Sequence, residues 1–269
     1  MTQLIGFLVA AIVGLTGIGG GSFTTPALIL LIGLPVGDAV GTAMLFAAML
    51  RMLAAPVYLL RQQVHGRYFW ALIVGALPGL LIGTWILHRL RAATFSPIVL
   101  LSVGLLLAIS STLTFVSKFQ NQRFASERRY WLSILAVPIG IETGFSSAGA
   151  GALGTILLLN FSELTPAQVV GTDLLFGLVL ALVGSAFHFG WGSVDQVTLR
   201  HLMYGGLPGI LLGCLASRAV SGRKLRTVLA LIGIVLGLQL AWVGSKAIVQ
   251  NYAIARATRD NSRVGHITP

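Results

Sequence analysis

The stretch GLTGIGGGSF at residues 14–23 has a counterpart 130 positions later, the stretch GFSSAGAGAL at 144–153. Each stretch interrupts a long apolar run with glycines, and the same shift aligns the two halves of the chain without a gap. A hydrophobic chain with two such halves is typical of secondary transporters built from a duplicated helical unit. The residues that coincide around the two stretches are Gly14 and Gly144, Gly19 and Gly149, Gly21 and Gly151, and Thr25 and Thr155.

Two further motifs repeat with the same spacing. VGT at 40–42 recurs at 170–172, and a glycine at every fourth position of 75–83 recurs in 205–213. Glycines four residues apart lie along one helix face, where they allow the backbone of a neighbouring helix to approach closely. We therefore predict that the glycine faces of these helices are packing surfaces.

The composition indicates a membrane protein. Hydrophobic residues make up 56% of the chain and charged residues 9%, whereas soluble domains contain about 25% charged residues. The net charge is +11, but seventeen of the eighteen Lys and Arg residues lie in or beside the gaps between apolar runs, as expected of loops at membrane surfaces. We expect membrane lipids and a small solute as partners, and no nucleic acid. The single cysteine, Cys214, excludes an intramolecular disulfide.

The apolar runs predict an all-α integral membrane protein with about eight transmembrane helices in two four-segment repeats. The repeats are assigned to 1–129 and 130–248, and a polar, basic tail at 249–269 is expected to begin as a helix that continues the last span. The first run of each half is about 30 residues long, more than the ~20 residues that cross a bilayer. The runs lie at 4–33, 39–60, 68–87, 96–116, 130–160, 167–189, 198–217 and 227–248.

The glycine breaks are candidate substrate contacts. Glycine in a helix interior costs about 1 kcal/mol relative to alanine, and unwound backbone at membrane depth persists only where protein or a watery cavity satisfies its amides. Free amides and the positive ends of half-helices suit an anion, so we expect a small-anion site between the halves. The residues assigned to substrate binding at the breaks are Gly19, Gly20, Gly21, Ser22, Gly149 and Gly151.

Three ionisable residues other than histidine lie well within the predicted spans: Arg51, Glu142 and Asp173. Such residues are costly in a bilayer and usually mark a pathway or a partner. The guanidinium of Arg51 is a planar, permanently charged fork that suits substrate oxyanions such as sulfite, sulfonate or carboxylate. An internal ion pair with either acid, or snorkelling, is the alternative. The repeat counterpart of Arg51 is Ala181.

Glu142 and Asp173 are candidates for ion coupling, because a carboxyl within a membrane can carry a proton together with the substrate. A structural salt bridge would account for Asp173 equally well. Thr42 and Thr172, the threonines of the repeated VGT, are further candidate substrate contacts. A hydrogen bond to the preceding turn of their own helix is the alternative.

The motifs that would indicate other function classes are missing from the sequence. The spans contain no cluster of His, Cys or carboxylates for metal binding or acid–base chemistry, and the chain has no nucleotide-binding motif. We therefore expect neither an enzyme nor a cofactor or metal. The leading hypothesis is a secondary transporter that works by alternating access between the repeats. The alternatives are a non-transporting scaffold or assembly protein and a passive anion channel, and the glycine faces also allow a homo-oligomer.

Several of these motifs resemble those of the TauE/SafE sulfite-exporter family. They are GLTGIGGGSF at 14–23, AVGT at 39–42, VVGTD at 169–173, and the LPG at 77–79 and 207–209 with its following glycine. The resemblance covers residues 4–246 and implies a multi-pass, bacterial-type inner-membrane permease of eight spans for sulfur-containing anions such as sulfite or sulfonates. The interpretation of Arg51 does not come from the resemblance; it rests on its chemistry alone.

The direction of the two repeats depends on the path of each first segment. If that segment crosses once, each half has four crossings and the repeats are parallel; if it turns back at the glycines, each half has three and the repeats are inverted. The matching loops at 88–95 and 217–226 are both basic, which favours the parallel arrangement with eight crossings. The loop at 61–67 is basic whereas its counterpart at 190–197 is not, so charge alone leaves both arrangements open.

Overall fold

The computed structural model of the protein describes residues 1–16, 21–90, 96–117, 129–216 and 222–264. Gly19 and Gly20, two of the expected substrate contacts, lie outside these residues. The described part is helical throughout and contains no strand. The first half forms α1 (Thr2–Thr16), α2 (Gly21–Ala27) with a π-helical turn (Leu28–Ile32), α3 (Val36–Leu60), α4 (Gly66–Arg89) and α5 (Ser96–Ser117). The second half forms α6 (Arg129–Ser146), α7 (Gly149–Phe161), α8 (Pro166–Gly190), α9 (Gln196–Ala216) and α10 (Gly222–Val264).

The all-helical, membrane-type architecture is confirmed at this level. Within the described residues, four helical segments are long and apolar enough to cross a membrane: Val36–Leu60, Gly66–Arg89, Ala167–Gly190 and Ala230–Gln250. Shorter apolar helices occupy Thr2–Leu15, Gly21–Ile32 and Pro97–Leu113. The last helix, α10, continues without a break into the basic tail, as expected.

The repeated glycine faces pack helices of opposite halves together, which confirms the packing prediction. On α4, Gly75 lies against the backbone of Ser133 and Gly79 against that of Val137, both on α6. On α9, Gly205 lies in the same way against Gln3 of α1. A side chain at these glycines would overlap the main chain of the neighbouring helix, so only glycine fits at these positions. The complete pairs are Gly75–Ser133, Gly79–Val137, Gly83–Ile141, Gly205–Gln3, Gly209–Phe7 and Gly213–Ala11.

These contacts also fix helix direction. Residue numbers rise together along both pairs, so α4 runs parallel to α6, and α9 runs parallel to α1. Helices α3 and α8 are antiparallel. Met44 of α3 contacts Gly184 of α8, and Arg51, further along α3, contacts Gly177, which lies earlier in α8. The same antiparallel order relates α5 to α10, where Leu101 meets Gly244 and Ala108 meets Gly237.

Two further contacts connect these pairs into one frame. Leu80 of α4 lies beside Gly184 of α8, and His88 stacks on Trp191 just after α8, with ring centroids 4.2 Å apart. Hence α4 runs parallel to α8. On the other side, Thr42 of α3 bonds Asp195 just before α9, and Phe46 packs on Gly206, so α9 runs parallel to α3.

Corresponding helices of the two halves therefore run in opposite directions. This corrects the parallel arrangement that we favoured from loop charge, and it matches the inverted alternative. Since α1 and α3 share one direction, the chain between them must turn back, and the same holds for α6 and α8. The loops at 88–95 and 217–226 are both basic although the helices that precede them, α4 and α9, run in opposite directions, so loop charge does not distinguish the two arrangements.

The second turn-back is visible at the glycine break. A Cβ atom added at Gly149 would lie 2.8 Å from the carbonyl oxygen of Ile139, ten residues earlier on α6, so the chain folds back on itself. The reversal uses left-handed backbone at Ser147 (φ 63°) and an irregular conformation at Gly151 (φ 109°). Such a φ value is open to glycine at little cost, which explains the glycine at the second position.

Candidate functional site

The described part of the first glycine break, Gly21 and Ser22, meets the second break inside the molecule. Gly21, where α2 begins, packs directly on the backbone of Ser147 at the second reversal. The Ser22 hydroxyl donates a hydrogen bond to the Ala148 carbonyl (3.2 Å), and the Thr25 and Ser147 hydroxyl oxygens lie 2.6 Å apart. All five residues are buried. Gly21, Ser22 and the second break, predicted to lie near one another, are thus brought together.

Hydroxyl groups of α6 satisfy the backbone that the second reversal frees. Thr143 Oγ1 accepts a hydrogen bond from the Ala150 amide (2.9 Å) and donates one to the Ile139 carbonyl (2.7 Å). Ser146 Oγ accepts from the Ala148 amide (3.2 Å). These short polar side chains make the non-helical turn tolerable in apolar surroundings.

Arg51 reaches this meeting point from α3. Its side chain is only 4% exposed, and one terminal nitrogen donates a hydrogen bond to the carbonyl of Ala150, within the second break (2.9 Å). Gly177 of α8 leaves room for the guanidinium, because a side chain there would overlap it. Among the described residues no group accepts a hydrogen bond from Arg51 Nε. The site thus holds a buried cation with an unused donor.

Asp173 is the acid associated with Arg51. Their charges attract one another, and Asp173 Oδ2 accepts a hydrogen bond from the Thr155 hydroxyl on α7 (2.8 Å). Gly154 lies directly against this carboxylate. Of the two acids named as partners for Arg51, Asp173 is the one whose charge acts on the guanidinium, and its hydrogen bond to Thr155 links α8 to α7.

Glu142 lies on α6, beside the second reversal. The residue is 5% exposed, and its carboxylate interacts with the Ser110 hydroxyl of α5. A Cβ atom added at Gly149 would lie 3.2 Å from Glu142 Oε2, so the carboxylate borders the break. Within the described residues Oε1 has no hydrogen-bond partner.

Thr42 and Thr172 each make a hydrogen bond that connects the two halves of the chain. Thr42 Oγ1 accepts a hydrogen bond from the Asp195 amide, 153 residues away (2.9 Å). Thr172 Oγ1 accepts one from the His65 amide (3.0 Å). Asp195 and His65 are themselves repeat counterparts and directly precede α9 and α4. Each threonine therefore fastens the start of a helix in the opposite half.

The glycine of each VGT motif serves the same junction. Gly41 lies directly against the Ser193 carbonyl. Gly171 lies in the same way against the Gln63 carbonyl, where a Cβ atom added to the glycine would be 2.5 Å from the oxygen. VGT thus pairs a glycine that admits the neighbouring loop with a threonine that bonds it. At this junction burial disfavours the charged form of Asp195, but hydrogen bonds from Thr198 and Val197 outweigh it and lower the pKa of that carboxyl.

Thr143, Ser147 and Thr155, which support the breaks and Asp173, were not predicted as site residues from the sequence. Thr155 carried a signal, since it repeats as Thr25 and both threonines bond at the breaks. Ser147 has Gly17 as its counterpart and offered no such signal. Within the described residues no group of three or more His, Cys, Asp or Glu side chains could hold a metal ion.

Comparison with known proteins identifies relatives along almost the whole chain. Residues 2–240 match the family model described as Sulfite exporter TauE/SafE. The Probable membrane transporter protein YjnA of Bacillus subtilis is 28% identical over 248 residues, which cover 88% of this chain and 97% of the relative. A Probable membrane transporter protein of Haemophilus influenzae is 32% identical over 164 residues, covering 59% of this chain and 62% of the relative. No solved structure matches the chain.

Proposed function

The chain belongs to the TauE/SafE sulfite-exporter family of membrane transporters, and from that premise we propose that it is a secondary transporter of small sulfur-containing anions. Its substrates are sulfur oxyanions or organosulfonates, and it resides in the inner membrane of a bacterium. The substrate class follows the family description. The proposed location of the site is supported by contacts among the chain's own residues.

The observation that carries the proposal is the buried guanidinium of Arg51 at the meeting of the two breaks. One of its donors bonds Ala150, while Nε is without an acceptor among the described residues. A sulfonate or sulfite oxygen is a strong acceptor for such a donor. Asp173 offsets the charge of Arg51, and an arriving anion would compete with it for the guanidinium.

The inverted repeats provide the mechanism. We assign three membrane crossings to each half, α3 to α5 and α8 to α10, and treat α1–α2 and α6–α7 as re-entrant hairpins that meet at the anion site through Gly21 and Ser22 of the first and Ser147 and Ala148 of the second. In inverted-repeat transporters, moving one half against the other exposes a central site to the two sides in turn. The glycine-mediated contacts of α4 with α6 and of α9 with α1 then join each hairpin to a helix of the opposite half.

Uptake of labelled sulfite and labelled ethanesulfonate into proteoliposomes tests the proposal, with Arg51→Ala and Arg51→Lys compared with wild type. We expect saturable uptake in the wild type. Arg51→Ala should lower it by about 10- to 100-fold, since a hydrogen bond to a charged group contributes about 1.5–3 kcal/mol. Arg51→Lys should restore only part, because an ammonium lacks the planar fork.

Each variant is first checked by size-exclusion chromatography for the wild-type profile. Wild-type flux that does not saturate would favour the channel, and no flux from folded protein would favour the scaffold. Full uptake by Arg51→Ala would assign Arg51 a structural role and move the anion site elsewhere.

A further inference from the structure

Glu142 is a buried acid that the anion site does not use. It is 5% exposed, and its repeat counterpart is Ile12, so the first hairpin has no equivalent. A carboxylate deep in an apolar bundle is costly, and such a residue usually serves transport or has a compensating partner. The question is what compensates Glu142.

The two buried acids of the second half have different surroundings. Asp173 has the Thr155 hydroxyl and the charge of Arg51 beside it. Glu142 has the Ser110 hydroxyl, and its Oε1 atom is buried without a hydrogen-bond partner in the described part of the chain. A proton on Glu142 would neutralise its uncompensated negative charge. The negative charge of Asp173 is instead offset by the positive charge of Arg51.

Among the described residues, no basic side chain is found to act on the Glu142 carboxyl. The helices packed against α6 are α2, α4, α5, α7 and α8. In their described residues, burial and the Ser110 hydroxyl are the influences on the Glu142 carboxyl. The titratable side chains on those helices, none of which is among these influences, are Arg67, Tyr68, His88, Arg89, Asp173 and His188.

The position of Glu142 connects it to the moving part of the proposed mechanism. Its Oε2 atom borders Gly149, and the next residue, Thr143, bonds the Ala150 amide. Ala150 in turn accepts the hydrogen bond from Arg51. A displacement of the second hairpin tip would therefore change the surroundings of Glu142 and of the anion together.

We propose that Glu142 is the proton-binding site through which anion transport is coupled to a proton gradient. The carboxylate takes one proton from the side to which it is open and releases it on the other side, in the same direction as the anion. Protonation also removes a negative charge from the neighbourhood of the site that the anion enters. This inference rests on the proposed function.

The test separates coupled accumulation from exchange. Proteoliposomes with an acidic exterior are given labelled ethanesulfonate, which stays singly charged, so that proton movement cannot come from the substrate. We expect the wild type to accumulate it and Glu142→Gln to lose gradient-driven accumulation while it still exchanges internal for external ethanesulfonate. Glu163→Gln, which neutralises an exposed acid between α7 and α8, is the matched control and should accumulate normally.

Gradient-driven accumulation by Glu142→Gln at the wild-type level would overturn the inference but leave the transporter proposal intact. Absence of both accumulation and exchange in the wild type would overturn the transporter proposal, and the inference with it. A pH-sensitive dye inside wild-type liposomes gives a measurement that needs no variant. Ethanesulfonate flux without internal acidification would overturn the coupling even if Glu142→Gln failed to fold.

Discussion

At the scale of single residues, Arg51 is matched by a glycine on the facing helix. It packs on Gly177, and in the repeat-related positions the pair becomes Ala181 and Ala47. In the first pair a large charged side chain thus faces a glycine, whereas the repeat-related pair consists of two alanines. The two halves therefore differ at both positions of this contact. This difference supports a specific place for the guanidinium beside Gly177.

Gly177→Ala is expected to damage transport nearly as much as Arg51→Ala, about 10- to 100-fold, because its methyl group would displace the charged hydrogen-bond donor. The matched control is Gly184→Ala, seven residues further along α8, where the methyl group meets the flexible end of Met44 and a methyl group of Leu80. Uptake of ethanesulfonate into proteoliposomes measures both. Equal activity of the two variants would contradict the assignment of Gly177.

At the scale of helices, the VGT motifs are junctions between the halves. Thr42→Val and Thr172→Val should each lower the free energy of unfolding by about 1 kcal/mol, since each leaves a backbone amide without its acceptor. The KM for ethanesulfonate should not change. Thermal unfolding in detergent and uptake kinetics report the two quantities. Thr112→Val is the control, as its hydroxyl bonds only within its own helix.

A rise in KM without a loss of stability in these threonine variants would instead support the substrate contact that we expected from the sequence. The sequence could not decide this, because the partner of Thr42 lies 153 residues away. The glycine faces, in contrast, were predictable: spacing by four puts Gly75, Gly79 and Gly83 on one helix face whatever the neighbour is. The reversal at Ser147 depends on contacts between distant segments, and a run of apolar residues does not reveal it.

The α4–α6 interface provides a further element-scale prediction. Gly79→Ala would place a methyl group on the Val137 carbonyl, so the two helices must separate. We expect a loss of about 1–3 kcal/mol, as for other overpacked contacts. Gly190→Ala, at the end of α8 with open space around it, should be nearly neutral. Thermal unfolding in detergent compares them, and equal melting temperatures would mean that the interface can expand freely.

At the scale of the whole molecule, the inverted arrangement of the repeats predicts on which sides of the membrane corresponding loops lie, which the charge of the loops could not settle. Gln62 follows α3 and Gly192 follows α8 at repeat-related positions; both are exposed, and both have left-handed backbone, with φ of 53° and 65°. Parallel repeats would place these two residues on the same side of the membrane. Inverted repeats place them on opposite sides.

Cysteine labelling distinguishes the two arrangements directly. In a Cys214→Ser background, which removes the single native cysteine, Gln62→Cys and Gly192→Cys are treated in intact cells with a membrane-impermeant maleimide. We expect one of them to react from outside and the other only after the membrane is opened, because α3 and α8 run antiparallel. Reaction of both from the same side would restore four crossings per half. It would also remove the basis for two hairpin tips meeting at one anion site, since that meeting requires both first segments to turn back.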